Sequence, residues 1–263
     1  MKNKKTMIIG LVVLLLVGGG IFFLKKDKTS DTPATTQKKK LSLPTNVIPV
    51  SERPYLTLLP SADGRYITIG IENLKKEAGE MSYEIEYQTG SMLQGFQGLL
   101  SLDKLPSSEK KLFGSQSAGG AITYHEDIKG GSLLTRYTEG SEPYALKSDW
   151  KYIENTKRET AFSSKDAKFQ IDGKTLAQQR YLIIFNTPGY PEGVPGEVAS
   201  EVYSLTSSGS LTGEAELTIR SNEEGELKIA AWDGEEWMTY EGEVDDKMIT
   251  ATVDLVELYV VVK

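Results

Sequence analysis

The chain has 263 residues, with 30 basic and 37 acidic side chains, one histidine and no cysteine. A chain of this length has room for one large domain or two small ones. Without cysteine it can form no disulfide, no thiol nucleophile and no thiolate-ligated metal site, and a single histidine cannot build a multi-histidine zinc or iron centre. The composition therefore predicts neither a metal site nor a cofactor.

Charge is distributed unevenly along the chain. Nine lysines and two aspartates lie in residues 1–40, which leaves 21 basic and 35 acidic residues in 41–263, a net charge of −14. A body this acidic repels the phosphates of nucleic acid, so we expect no nucleic-acid partner.

An apolar segment near the N-terminus predicts a membrane anchor. Met7–Leu24 contains 18 residues without a charge, and a helix of that length spans about 27 Å, close to the hydrocarbon thickness of a bilayer. A cleaved signal peptide is the alternative, but its apolar stretch would be shorter and would end at small residues, whereas this one ends in Phe-Phe-Leu-Lys-Lys. We predict an uncleaved signal anchor, with residues 1–24 forming a cytoplasmic tail and one transmembrane span.

The lysines around this span leave its orientation balanced under the positive-inside rule. Three precede it within residues 1–6 and three follow it within 25–28. Long domains, however, are exported largely regardless of loop charge, and a short basic tail before a span is the usual exporting arrangement. We expect a single-pass protein of the cell membrane whose C-terminal domains lie outside the cytoplasm.

After the anchor, the sequence predicts a linker and then β-structure. Residues 25–50 are rich in Lys, Thr, Ser, Pro and Gln, which is typical of a flexible linker. From Tyr55 onward, short runs alternate apolar and polar residues between Gly, Pro, Asp and Ser clusters, and no long segment has the helical period, so we predict an all-β fold. The predicted strands are Arg65–Ile71, Met81–Tyr87, Leu133–Tyr137, Tyr144–Trp150, Lys168–Ile171, Tyr181–Phe185, Val202–Leu205, Ala215–Arg220, Glu226–Trp232, Glu236–Tyr240, Met248–Val253 and Leu258–Val262.

The strand spacing indicates two β-sandwich domains. Strands recur roughly every 8–12 residues, as in sandwich folds, and the pattern starts again after the polar segment Asn155–Thr160. We predict one domain at 51–156 and a second at 161–263.

Three segments of the C-terminal half carry a resemblance to a known family. They are YSLTSSGSLTGEAELTIR (203–220), LKIAAWDGEEW (227–237) and MITATVDLVELYVVV (248–262). From about Phe162 onward the chain resembles the ZU5-like β-sandwich modules of bacterial surface proteins. Some members of that family cleave themselves at a His-Ser or Phe-Ser step, but this half has no histidine and its Phe162-Ser163 lies at its start, so self-cleavage is not implied. The N-terminal half resembles uncharacterised Ig- or fibronectin-III-like ectodomains.

The segment His125-Glu126-Asp127 is the candidate for catalysis. A histidine beside carboxylates could act as a general base or bind a metal with them. Consecutive strand residues point to opposite faces, however, so these side chains do not easily converge on one atom. The other interpretation is a polar turn before Gly130-Gly131.

Two acidic clusters and one serine-containing loop have residue types found in functional sites. Glu223–Glu226 and Glu243–Asp246 could offer oxygen ligands to calcium, but neither has the spacing of a calcium-binding loop, and solvated turns are expected there. Residues 114–120 lack both the spacing and the following helix of a nucleophile elbow, which favours a loop.

The hairpin around Asp233-Gly234 carries the candidate binding residues. Asp-Gly predicts a tight turn, and any even-length loop places Trp232 and Trp237 on one face; with a loop of Asp233–Glu236 they oppose each other directly. We predict that Trp232 and Trp237 bind a protein partner or a surface glycan. In the alternative, one ring packs into the core through a bulge or an odd-length loop. The residues predicted for the opposite, core-forming face are Leu227, Ile229, Ala231, Met238 and Tyr240.

These observations predict a membrane-anchored, extracytoplasmic, non-enzymatic binding or structural module of the cell envelope. The alternatives are an envelope hydrolase that uses carboxylates near Glu126 and Asp127, and a structural subunit of a larger envelope complex.

Overall fold

The structure is a computed structural model that describes residues 43–263, and this part of the chain is built from β-strands. The predicted all-β fold class is confirmed. Two short 3-10 turns, Val50–Glu52 and Lys174–Gln178, are its helical elements. The strands are β1 (Tyr55–Pro60), β2 (Tyr66–Asn73), β3 (Glu80–Thr89), β4 (Met92–Leu100), β5 (Ser107–Leu112), β6 (Gly114–Gln116), β7 (Ile122–Tyr124), β8 (Ile128–Thr138), β9 (Tyr144–Glu154), β10 (Ala161–Ser163), β11 (Phe169–Asp172), β12 (Tyr181–Thr187), β13 (Val202–Ser207), β14 (Glu214–Arg220), β15 (Lys228–Trp232), β16 (Trp237–Glu241), β17 (Glu243–Asp245), β18 (Met248–Asp254) and β19 (Leu258–Val262).

One antiparallel sheet of nine strands runs through both halves of the chain, in the order β16-β15-β19-β13-β12-β9-β8-β3-β4. It continues across the polar segment at 155–160, because β9 pairs with β12 from Tyr181↔Glu154 to Phe185↔Trp150. Residues 43–263 make one compact unit. The division into domains at 51–156 and 161–263 stays a prediction.

Three smaller sheets accompany the large one. They have the orders β1-β2-β5, β10-β11-β14-β18-β17 and β6-β7. The first shares a hydrophobic cluster with β3, β8 and β9, built around Trp150, and the second shares a cluster with β12, β13 and β19, built around Tyr203. Residues 114–116, predicted to lie in a loop, instead form strand β6 of the short hairpin β6–β7.

The central strand β12 supplies both clusters. Ile183 and Phe185 belong to the Trp150 cluster, whereas Leu182 and Ile184 belong to the Tyr203 cluster. Successive strand residues point to opposite faces, so the apolar run YLIIF is explained by a strand that is covered on both sides.

A third cluster lies on the remaining face of β15 and β19. Ala230, Leu258 and Val260 meet Tyr55 at the start of β1 and Tyr190 in the loop after β12. Trp232 and Trp237 pack against this cluster.

The two glycines that were expected before a strand lie inside β8. Gly130 and Gly131 pair with Lys151 and Trp150 of β9. Gly130 has φ +91, and a Cβ there would clash with the Trp150 carbonyl oxygen. Glycine is needed at this point because it permits both the positive φ and the close approach of β9.

The predicted anchor Met7–Leu24 and the linker residues 25–42 lie outside the described residues. Neither 3-10 turn of the described part has the length and apolarity needed to cross a bilayer. The last linker residues contact β9: Thr45 bridges to Ala145, and the Asn46 side chain exchanges two hydrogen bonds of 2.9 Å with the Lys147 backbone.

Candidate binding site at the tryptophan hairpin

Trp232 and Trp237 face each other across the hairpin of β15 and β16. They are direct cross-strand partners, so the loop between them is Asp233–Glu236. The ring centroids lie 5.5 Å apart, with the ring planes inclined by 52°, and both side chains are half-buried. The hairpin has neither a bulge nor an odd-length loop, because the register is unbroken and both rings share one face. Both rings nevertheless pack against the third cluster.

The Asp233 side chain fixes the loop. Its Oδ1 accepts hydrogen bonds of 2.8 Å from the backbone N–H groups of Glu235 and Glu236, and these bonds hold the pKa of Asp233 below its ordinary value. Gly234 has φ +107, which a side chain would strain. The two bonds to Asp233 fix the turn between the two tryptophans.

The loop after β12 holds the ring of Trp237. The indole Nε1 donates a 3.0 Å hydrogen bond to the Glu192 carbonyl oxygen, and both tryptophans pack against the third cluster. Residues 186–196, NTPGYPEGVPG, are rich in Gly and Pro, but no local pattern places this loop against the hairpin about 40 residues later. Tertiary packing alone brings them together.

The opposite face of the hairpin belongs to the main core at four of the five predicted positions, whereas Met238 is half-buried and is not part of that cluster. Leu227, Ile229 and Ala231 are buried in the Tyr203 cluster, and Tyr240 packs against it. The Tyr240 hydroxyl donates to Asp254 at 2.7 Å. The aliphatic face therefore anchors the hairpin in the Tyr203 cluster, and the half-buried tryptophan face packs against the third cluster.

Carboxylates surround the tryptophans. Asp233, Glu235 and Glu236 are exposed in the loop itself, and Glu192 is exposed in the neighbouring loop. At Glu257, burial together with the charges of Glu72 and Asp233 raises the carboxyl pKa. The rim of the site is thus strongly acidic.

A lysine and two tyrosines lie beneath the same surface. The Lys75 ammonium sits 3.5 Å from the ring centroid of Tyr190, and burial lowers its pKa. The Tyr55 hydroxyl is buried without a hydrogen-bond partner among the described residues, and burial, Glu257 and Glu72 raise its pKa. These groups were not found from the sequence, because nothing local links residues 55, 75 and 190.

The catalytic candidate at His125 forms a turn before β8. The His125 Nδ1 lies 2.9 Å from the Tyr87 hydroxyl, whose pKa burial raises to about 12. Glu126 and Asp127 are exposed, and Asp127 makes an ion pair with Lys129. The structure therefore brings the histidine to a tyrosine and leaves both carboxylates in solvent.

The remaining sequence candidates gather no ligand set. Residues 223–226 and 243–246 are exposed acidic segments, and residues 43–263 contain no group of three or more His, Asp or Glu side chains placed to hold a metal ion. In the hairpin β6–β7, the Ser117 hydroxyl accepts from the Ala121 N–H at 3.2 Å, which is a turn contact.

A polar groove of about 510 Å³ lies between β9 and the strands β10, β11 and β14. Lys151 crosses it and donates to the Ser163 carbonyl oxygen at 3.0 Å. The carboxylates in its lining are Glu159, Asp172 and Glu216. Of the residues singled out from the sequence, the lining contains Phe162 and Ser163.

Comparison with known proteins returned no similarity: no protein-family model, curated protein or solved structure matches this chain.

Proposed function

We propose that this chain is a non-enzymatic binding module, anchored in the cell membrane by residues 7–24 and held outside the cytoplasm by the linker 25–50. Its β-rich body is proposed to comprise β-sandwich domains at 51–156 and 161–263. The binding surface is the tryptophan patch, defined as Trp232, Trp237 and the loop Asp233–Glu236.

The half-buried tryptophan pair carries this proposal. Tryptophan is the residue most enriched where binding energy concentrates at interfaces. Here the partner does not have to order the rings, because the Trp237 Nε1–Glu192 bond and the underlying cluster already hold them. A preorganised aromatic surface loses less side-chain entropy on association.

The acidic rim favours a protein partner over a neutral glycan. Exposed carboxylates at Asp233, Glu235, Glu236 and Glu192 ring the aromatic centre. Charge complementarity selects a partner that presents an apolar side chain surrounded by lysines or arginines. A neutral sugar could donate hydroxyl hydrogen bonds to these carboxylates, but it carries no positive charge to complement the rim.

Photo-crosslinking in intact cells tests this proposal. The full-length chain is made with a photoreactive amino acid in place of Glu235, and the crosslinked species is identified. We expect one defined protein, which disappears in Trp232→Ala/Trp237→Ala. The matched control is Val244→Ala, which removes an apolar side chain that is 51% exposed on β17 and should leave the adduct intact.

Each other result contradicts part of the proposal. A defined protein that survives the double substitution would remove the tryptophans from the binding site. A sugar adduct would replace the protein partner by a glycan. No adduct at all would leave the chain without the binding function proposed for it.

A further inference from the structure

The edge strand β4 is long and uncharged, and its outer side has no strand partner among residues 43–263. Met92–Leu100 pairs with β3 on its other side. It contains no charged residue and no proline, and Met92, Leu93 and Leu99 are 59%, 68% and 61% exposed. Such an edge offers its free backbone groups to another strand.

Three other sheet edges carry the features that prevent such pairing. The edge strand β5 is charged at Glu109, Lys110 and Lys111. The edge strand β17 has acidic residues at two of its three positions, and β10 is only three residues long. Charge and short length are the usual protections of a sheet edge, and β4 has neither.

The β3–β4 hairpin determines which backbone groups of β4 point outward. Its loop is the two residues Gly90-Ser91, between the paired residues Thr89 and Met92. In a two-residue hairpin the flanking pair is hydrogen-bonded, and hydrogen-bonded pairs alternate with non-hydrogen-bonded pairs along the ladder. The residues whose N–H and C=O therefore point to the open edge are Leu93, Gly95, Gln97 and Leu99.

We propose that β4 pairs with β4 of a second copy of this chain, antiparallel, about a two-fold axis at Phe96. In this register Leu93 faces Leu99 of the second copy, and Gly95 faces Gln97. Every outward N–H and C=O of these four positions then meets a partner in a regular antiparallel ladder. The symmetry is that of an isologous dimer, in which one patch serves both copies.

The side chains and charges of β4 favour a second copy as the occupant. Leu93 and Leu99 share the outer face of the sheet with Gln88 and Ser82 of β3, their cross-strand neighbours. In the proposed register each exposed leucine is covered by a leucine. Each copy also carries the −14 charge of residues 41–263, so a neutral strand is where two copies can approach with least repulsion.

Cysteine crosslinking tests the register directly, because the natural chain has no cysteine. Leu93→Cys and Leu99→Cys are made as single substitutions in full-length chains with different tags. Across the proposed pair the two Cα atoms lie about 5.5 Å apart, within disulfide range. The same position on the two copies is about 20 Å apart.

We expect a disulfide-linked dimer when cells that make both variants are treated with copper phenanthroline, and none when either variant is made alone. A dimer from one variant alone would overturn this register. Disulfides from neither the mixture nor the single variants, or adducts of these cysteines with a different protein, would overturn the proposed occupant.

A charge exchange provides an independent readout. Leu93→Glu/Leu99→Glu places carboxylates opposite each other at both leucine pairs, which should weaken the dimer at least about tenfold. Leu93→Lys/Leu99→Glu places opposite charges at the same pairs and should restore the dimer. Dimer formation is measured by sedimentation of the full-length chain in detergent. The control Val244→Glu, on the exposed strand β17, should leave the dimer unchanged. Equal dimerisation by all the variants would contradict the proposal.

Discussion

Two buried threonine hydroxyls join β1 to the nine-stranded sheet. The Thr187 hydroxyl donates to the Leu56 carbonyl oxygen at 2.9 Å and accepts from the Leu56 N–H at 3.4 Å. The Thr206 hydroxyl donates to the Leu58 carbonyl oxygen at 2.6 Å. Both threonines are less than 5% exposed, so water does not easily replace these bonds.

Substitution by valine removes each hydroxyl and keeps the size and β-branching of the side chain. Thr187→Val leaves two backbone groups of Leu56 without their partner, and Thr206→Val leaves one carbonyl. A buried polar group that loses its partner costs about 1–3 kcal/mol. We therefore expect a loss in the free energy of unfolding of about 3 kcal/mol for Thr187→Val and about 2 kcal/mol for Thr206→Val.

Denaturation of the full-length chain by guanidinium chloride measures these losses. Trp150 is fully buried in the cluster that β1 covers. All variants are therefore made with Trp232→Phe/Trp237→Phe, so that the fluorescence is that of Trp150. The control is Thr218→Val, whose half-buried hydroxyl lies 2.9 Å from that of Thr250 and which should cost less than about 0.5 kcal/mol. If both buried sites cost no more than Thr218, side-chain bonds do not hold β1 to this sheet.

Three further predictions concern a tight backbone contact, a titrating carboxyl and the location of the body. Gly130→Ala should lower the denaturant midpoint of unfolding far more than Gly90→Ala. Both glycines have positive φ, but only at Gly130 would the added Cβ overlap backbone atoms of a neighbouring strand. Equal losses for the two variants in a denaturant titration would contradict this. Glu257 has a raised pKa in the folded chain, so its ionisation lowers stability as pH rises through that pKa; Glu257→Gln should raise the midpoint at pH 7 and give no gain below about pH 4. A membrane-impermeant maleimide should label Ser210→Cys but not Asn3→Cys on intact cells; the reverse pattern would overturn the proposed orientation.

The strands that could be predicted are those whose burial follows their alternation. Tyr181–Phe185 and Leu258–Val262 correspond to β12 and β19, both of which carry unbroken apolar runs. The strand β3 shows the regular alternation of one buried face over Met81–Tyr87. In such segments the local pattern and the tertiary environment agree.

The strands that were missed are held by their neighbours. The strand β5, Ser107–Leu112, is polar at most positions and pairs with the apolar β2. The strand β4 is interrupted by Gly95 and Gly98, and glycine lowers strand propensity. Each is completed by the ladder of the adjacent strand, and a single-sequence pattern contains no information about that neighbour.

Only the hairpin of the candidate site could be predicted from the sequence, and the residues that pack against it could not. The spacing of Trp232 and Trp237 around an Asp-Gly turn was enough to place both rings on one face, which the register confirms. The partners of that face come from far along the chain, such as Tyr55 and Glu192. The periodicity of the hairpin sequence carries no information about residues so far away along the chain. The binding role of the two tryptophans stays a prediction.

The order of strands places the two proposed surfaces at opposite ends of the nine-stranded sheet. The tryptophan patch lies at the β16 end of the nine-stranded sheet and β4 lies at the other end, about 38 Å away at ~4.8 Å per strand. A dimer formed through β4 would leave both patches free, about 80 Å apart across a continuous sheet. A partner with two epitopes would then bind with avidity. Leu93→Glu/Leu99→Glu should therefore remove the gain in affinity that comes from binding two epitopes at once, while the affinity of a single patch is preserved. Trp232→Ala/Trp237→Ala should abolish binding by the single patch and, with it, the avidity.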